Sequence, residues 1–465
     1  MPPQPTASDL LQAAVACHQA GQLAEARRLY ERLLRREPRD PNALNLLGVV
    51  LASTGEITRA IQLMRRALSV FPDFPDALSN LGKALLDSNQ PEASRLSLER
   101  ALRLAPEDPE ILNNLGNTLL ALGRPEEALD CYRRAATLRP GYAEARTNEG
   151  LALLSLGRLA EGWAAYEHRW RLPRVTGTSP PRVPLWTGAQ PLEGKRILLH
   201  AEQGLGDTLQ FCRYAPMVAA RGAQVVLEVQ PPLVRLMRTL DGQRIEVIAQ
   251  GDPRPPVDLH CPLMSLPLAF GTELGSIPAE VPYLRTDPAA LAGWQARLAP
   301  HPTPHVGLVW AGNPRTGDPE ANSIDQRRSI KLAAFANLGS GGTFVSLQKG
   351  PRAQEARRPP AGLRLIDWTE ELTDFADTAA MTAALDLVIG VDTSVVHLAG
   401  ALAVPVWVLN RHDLCWRWLR HRIDSPWYPT ARLFTQRKPG DWEPVLAEIR
   451  TALADRPAPN PEQGR

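Results

Sequence analysis

The sequence predicts an α-solenoid followed by two parallel α/β sheet lobes, an α + α/β architecture. Three observations carry this. Glycines 48, 82, 116 and 150 and prolines 38, 72, 106 and 140 recur at a fixed 34-residue step. Past residue 190, β-type apolar runs alternate with helical stretches, and that alternation restarts near residue 305. A fixed period of this length is the mark of one supersecondary unit stacked on copies of itself.

Within the unit that begins at Pro41, Leu44, Leu47 and Leu51 follow a helical period, then Ala60, Met64 and Ala67 follow a second. Gly55 belongs to a second glycine series (Gly21, Gly55, Gly123, Gly157, with Asn89 in the gap) and ends the first helix with a left-handed cap. Pro72 stops the second. Small residues fall where paired helices must approach closely. The pattern resembles the tetratricopeptide repeat over five units, so residues 1–170 are expected to form that array. Its ends are atypical: Ala14 stands for the first-helix glycine, and Gly162 and Arg169 stand at packing positions of the last unit.

Asn80, Asn114 and Asn148 keep the same step, with Leu46 at the equivalent earlier place. On the first helix of each unit they are expected to line the concave face and to bond an acceptor peptide's main chain. Solvation or helix bonding is the competing reading. A similar asparagine ladder occurs in repeat-bearing protein O-glycosyltransferases.

Residues 171–191, rich in Pro, Gly, Ser and Thr, read as a linker. The expected first lobe is 192–300: a strand at 196–200, a Gly-rich turn, a helix from near Asp207 through Arg221, strands at 224–229 and 245–248 with a helix over 231–240 between them, a low-regularity stretch over 260–287, and a helix over 288–298. The second lobe, 301–455, is expected to hold strands at 305–310, 343–347, 363–366, 387–391 and 404–409. Helices are expected near 330–338, 375–385, from 393, and 442–453. The tail, 456–465, is expected to be disordered.

Across 465 residues, 44% are hydrophobic and 22% charged, ordinary values for a globular chain. Lys and Arg, 52, nearly cancel Asp and Glu, 50. A nucleic-acid partner is therefore not expected, since it would call for a basic surplus. The five cysteines form no CxxC pair, so neither a disulfide framework nor a zinc site is expected. No apolar span and no secretory leader are legible, and the expected location is cytoplasmic.

Two stretches carry candidate chemistry. In HAEQGLGDTLQ (200–210), a strand ends, Gly204 and Gly206 permit close approach of a ligand, and a helix starts at Asp207. Asp207 reads either as a catalytic carboxylate or as a helix N-cap. In VIGVDTSVVHLAGAL (388–402), a strand ends in Asp392, and the amides of Thr393, Ser394 and Val395 open a helix suited to a diphosphate. His397 follows one turn later and reads either as a donor to that pocket or as an interfacial residue.

These two stretches look like the motifs of ADP-heptose-type heptosyltransferases, glycosyltransferase family 9, over about residues 190–455. WAGNP (310–314), RRSIKL (327–332), SLQKG (346–350), DFADTAA (374–380) and SPWYP (425–429) look like the subgroup that joins such a domain to tetratricopeptide repeats. The resemblance implies a GT-B pair of Rossmann-like lobes and metal-independent inverting transfer from a nucleotide-sugar, with no cofactor. It implies Asp207 as general base, with Glu202 as rival, and a donor site of Asp392, Thr393–Val395 and His397. Arg328 and Lys331 become phosphate clamps, and Gln348 and Lys349 face the nucleotide or sugar. The expected partners are the nucleotide-sugar and a protein acceptor held by the repeats. Ser394 departs from the family's glycine, which keeps open a non-catalytic repeat scaffold. A lipid-linked envelope saccharide is the other open acceptor. The indoles of CWRWL (415–419) and Trp427 read as packing groups between the lobes.

Overall fold

The computed structural model describes residues 5–172, 181–240, 244–315, 317–336, 338, 342–413 and 415–456. The expected tail beyond 456 and residues 173–180 of the expected linker lie outside them. The chain divides into two compact units, residues 1–152 with 314–327, and residues 153–313 with 328–465.

The first unit is built of helices in antiparallel pairs. They are α1 (Ala7–Gln19) with α2 (Leu23–Arg36), α3 (Pro41–Ser53) with α4 (Ile57–Val70), α5 (Pro75–Asp87) with α6 (Pro91–Leu104), and α7 (Pro109–Ala121) with α8 (Pro125–Leu138). The fifth pair is α9 (Ala143–Ser155) with α10 (Leu159–Tyr166), and the division between units falls inside α9. Pro41, Pro75 and Pro109 each open a first helix, where a missing N–H costs nothing. The turn series has positive φ throughout, Asn89 (59°) included.

Why the other glycine series is needed is clearest at Gly116, where a Cβ would stand 2.5 Å from the buried Tyr132 ring. Successive units are also tied by arginines at the same step. Arg66, Arg100 and Arg134 donate to the carbonyls of Pro38, Pro72 and Pro106 at 3.2, 2.9 and 3.4 Å.

The second unit holds two all-parallel sheets. One has the order β3-β2-β1-β4: β1 (Arg196–His200), β2 (Gln224–Val229), β3 (Ile245–Ala249), β4 (Leu259–Pro262). The other, order β10-β9-β8-β5-β6-β7, comprises β5 (His305–Val309), β6 (Thr343–Ser346), β7 (Leu365–Ile366), β8 (Leu387–Val391), β9 (Val406–Asn410) and β10 (Ala431–Thr435). The strands β1, β5, β8 and β9 are buried almost end to end, as a sheet covered on both faces requires.

The helices of the second unit are α11 (Leu205–Phe211), α12 (Tyr214–Ala220), α13 (Val234–Met237), α14 (Leu266–Ala269), α15 (Pro288–Leu298), α17 (Phe375–Ala383), α18 (Ser394–Ala401) and α19 (Glu443–Ala454), whereas α16 (Pro319–Arg328) falls in the first unit up to residue 327.

Several expectations need correction. The helix over 207–221 is two short ones, α11 and α12, and the helix over 231–240 shrinks to a 3-10 turn plus α13. The low-regularity stretch starts within β4, which pairs with β1. The helix near 330–338 is a 3-10 turn, Leu332–Phe335, and α16 precedes it in a stretch given no element. β10 also went unread. The linker's end is docked: Trp186 is buried, donates from Nε1 to the Gln190 carbonyl at 3.0 Å, and meets Phe270 edge-on.

Candidate functional site

Each sheet delivers one motif from the carboxyl end of a strand. β1 ends at His200, and the chain turns through Gly204 into α11. β8 ends at Val391, and Asp392 and Thr393 lead into α18. The two helix starts touch. A Cβ on Gly206 would lie 3.0 Å from His397 Cδ2 and 3.5 Å from Ser394 Cα. Residues almost two hundred positions apart are thus brought to one place.

Asp207 sits in the first turn of α11. Its Oδ2 accepts the Gly204 amide at 2.8 Å, and its Oδ1 accepts from Arg417. The helix begins at Leu205 with Gly204 as its N-cap, so Asp207 is the third-residue acid of a capping box and half of an ion pair, with a side chain 19% exposed. Glu202 differs. Its side chain is 1% exposed, its oxygens accept from Arg169 at 2.8 and 3.0 Å, and Oε1 also accepts the Met264 amide. Burial pushes its carboxyl up, against the pull of Arg169.

The neighbouring Arg169 also donates to Glu167 and Ser265. The segment just after α10 is thereby anchored to the first sheet. Trp163 on α10 adds to this, donating to the Thr272 carbonyl and packing edge-on against Phe211 and Trp416.

At the second motif, Thr393 is the extended N-cap of α18, and its enclosed Oγ1 meets no hydrogen-bond partner among the described residues. Asp392 has His397 Nε2 at 3.7 Å. Burial pushes its carboxyl up, but His397, Arg328 and Arg417 together hold it well below the usual carboxylate range. Arg328 also donates to the Asp392 carbonyl at 3.0 Å. His397 is fixed in place: Nδ1 lies 3.0 Å from the Tyr428 hydroxyl, and the ring stacks on Trp418 at 5.1 Å.

Two expected donor contacts are otherwise engaged. Gln348 is buried and spends its carboxamide on backbone, accepting from the amides of Trp310 and Ala311 and donating to the carbonyls of Ala311 and Lys349. Lys349 Nζ donates to the carbonyls of Thr369 and Leu372 at 2.5 and 2.9 Å. Both shape the loop after β6. Lys331 instead lines an open groove of 710 Å³ together with Arg352, Arg357, Arg358 and Glu355. Its basic lining suits an anion.

The repeat asparagines are half-buried and partly engaged. Asn80 donates to Asn45 Oδ1 at 3.1 Å, Asn114 to Ser79 Oγ at 3.1 Å, and Asn148 to Asn113 Oδ1 at 3.0 Å. Every donor reaches back 35 positions, so the ladder ties each unit to the one before.

Sequence reasoning passed over Arg417 and Arg213, and did not foresee that Arg169 pairs with Glu202. Arg213 is buried and donates to the carbonyls of Gln210, Pro278 and Trp427 and to the Tyr283 hydroxyl. The one available signal for Arg417 was an arginine framed by two tryptophans. Among the described residues, no group of three or more His, Cys, Asp or Glu forms a metal-binding set. No described helix is long and apolar enough to cross a membrane.

The tetratricopeptide repeat family matches residues 12–77, 79–143 and 113–168. A curated relative, Protein FlbA of Caulobacter vibrioides, is 31% identical over 327 residues, which take in 63% of this chain and 52% of that protein. The chain thus spans about half the length of that relative. Among solved structures, TTC0263, a thermophilic TPR protein in Thermus thermophilus, aligns at TM-score 0.33 and 23% identity, covering 36% of this chain and 92% of its own. YrrB, a TPR protein with an unusual peptide-binding site, aligns at TM-score 0.30 and 21% identity, covering 37% and 89%. With the five helix pairs, the 34-residue step and the family match in agreement, the N-terminal region of this chain is an array of tetratricopeptide repeats.

Proposed function

We propose that the protein is a glycosyltransferase of the GT-B type, moving a sugar from a nucleotide-sugar to a hydroxyl of a protein held by the repeats. The observation that carries this reading is the meeting of two strand-to-helix turns, one from each parallel sheet, at Gly206 and His397. Ligands of open α/β sheets bind at the carboxyl ends of the strands, and both turns lie there.

In this reading Asp207 takes the proton of the acceptor hydroxyl, a task for a positioned carboxylate. Glu202 is less suited, since its side chain is 1% exposed against 19% for Asp207. The diphosphate lies at the start of α18, where the free amides, the helix dipole and Thr393 Oγ1 supply donors. Arg328 steadies that turn through the Asp392 carbonyl. Lys331 and the basic groove receive the rest of the donor's negative charge. The half-exposed carboxamides of Asn80, Asn114 and Asn148 keep acceptor oxygens for a peptide main chain.

The test is a thermal-shift screen of the full chain against UDP, GDP, ADP, CMP and their common sugar conjugates. A ligand that binds the folded state raises its melting temperature by mass action. The reading expects a rise with one nucleotide family that Asp392→Ala abolishes. No rise at millimolar ligand favours a second reading, a protein-binding scaffold without transfer, to which the ion pair already occupying Asp207 lends support.

A further inference from the structure

Arg417 lies on the 3-10 turn Trp416–Trp418, and its side chain is 11% exposed. One terminal nitrogen donates to Asp207 Oδ1 and the other to Cys415 Sγ at 3.0 Å. The guanidinium lies 4.3 Å over the Trp416 ring, which Trp163 and Phe211 brace at 5.2 and 6.3 Å. The chain leaves this turn through Leu419 (φ 54°, ψ 161°) and His421 (φ 57°). Non-glycine residues rarely adopt such angles, and they persist where the surroundings impose them.

A comparison with Arg213 is informative. That arginine satisfies itself on three carbonyls and a phenol, as a structural cation does. Arg417 has one carboxylate and one thiol, and its enclosed Nε meets no partner among the described residues. Its position is set by stacking and by the charges it faces. It pairs with Asp207 across the two motifs, and its charge is among those that draw the Asp392 carboxyl down. A carboxylate in a partly enclosed place is destabilised unless a cation offsets it.

We propose that Arg417 is a positioning residue for Asp207, holding its carboxylate in one orientation while offsetting its charge. The positioning part rests on the reading of Asp207 as the base; the charge bridge stands without it.

Melting temperatures of the full-length wild type, R417Q, D207N and R417Q/D207N test the bridge. R417Q is expected to melt below wild type, and the double variant to recover most of that loss, because the uncompensated carboxylate is gone. If R417Q does not fold, R417M, which keeps the apolar stem, takes its place in the cycle. A double variant no more stable than the single one makes Arg417 a packing group and overturns the proposal. With a donor identified by thermal shift, R417Q should lower kcat at least about tenfold with donor KM unchanged, and R417K should restore most of it. An unchanged kcat overturns the positioning role. Absence of any transfer in wild type defeats the base reading alone, since the melting cycle still decides the bridge.

Discussion

Gly206 and His397 stand so close that a single added carbon on the first would lie 3.0 Å from the ring of the second. The ring has no room to yield. Trp418 stacks on one side, Tyr428 holds Nδ1, and the side chain is buried. The glycine is thus a requirement of the contact between α11 and α18. It is a spacer, and its φ is not in the left-handed region.

Gly206→Ala is expected to destabilise the second unit by about 1–3 kcal/mol, the usual cost of forcing an extra carbon into a filled space. The modest helix preference of alanine does not offset it. All 11 tryptophans lie beyond residue 162, so tryptophan fluorescence in urea reports this unit. Wild-type stability in the variant would mean that the two helix starts separate freely.

The Arg169–Glu202 pair allows a sharper test. Removing one member of a buried ion pair strands the other's charge, at about 3–5 kcal/mol. Arg169→Met should therefore lose that amount in denaturant unfolding, and Arg169→Met with Glu202→Leu should regain much of it. Additive losses would show that the pair does not anchor the 162–170 segment.

The sequence made the repeats legible almost completely, because Gly48, Gly82 and Gly116 sit against Met64, Leu98 and Tyr132 at the 34-residue step. The sheets were legible where strands are apolar from end to end, as in β1 and β8. They were not legible in β4, Leu-His-Cys-Pro, or in β10, where Arg432 interrupts the run. The 3-10 turn at Leu332–Phe335 looked helical because its residues are apolar, but too few turns follow to build a helix. The resemblance implied that both motifs serve one site, but no local pattern encodes the contact between Gly206 and His397. Gln348 and Lys349 bond backbone in the structure, a use that sequence alone does not separate from bonding a ligand.

His200 provides a pH handle. Burial first, then His260, Arg254 and Arg169, push its imidazole down from 6.5 to about 3. The unfolded chain takes up a proton near pH 6.5, while the folded chain stays neutral there until about 3. The stability from this group is complete above the unfolded value and falls as pH drops through that window, by up to about 1.4 kcal/mol per unit. Urea unfolding at pH 7 and pH 5 should show a larger loss for wild type than for His200→Gln. Equal losses would mean that His200 is protonated in the folded protein.

In the ladder, Asn114→Ala removes the bond to Ser79 and should cost the repeat array about 0.5–1.5 kcal/mol, measured by circular dichroism of the full chain. If the same carboxamides hold a peptide main chain, replacing Asn80, Asn114 and Asn148 together should weaken capture of unrelated acceptor peptides to a similar extent. Weakening confined to one peptide sequence would argue against main-chain recognition.

The proposed reaction moves a sugar, with Asp207 as base, to a protein held on the repeats. Its most direct test is the intact mass of a repeat-bound partner after incubation with the full chain and the nucleotide-sugar that stabilises it. A mass increase of one sugar residue is expected, forming at least about a hundredfold more slowly with Asp207→Asn while the partner still binds. A partner that binds and keeps its mass, or gains the sugar equally fast with Asp207→Asn, would contradict it.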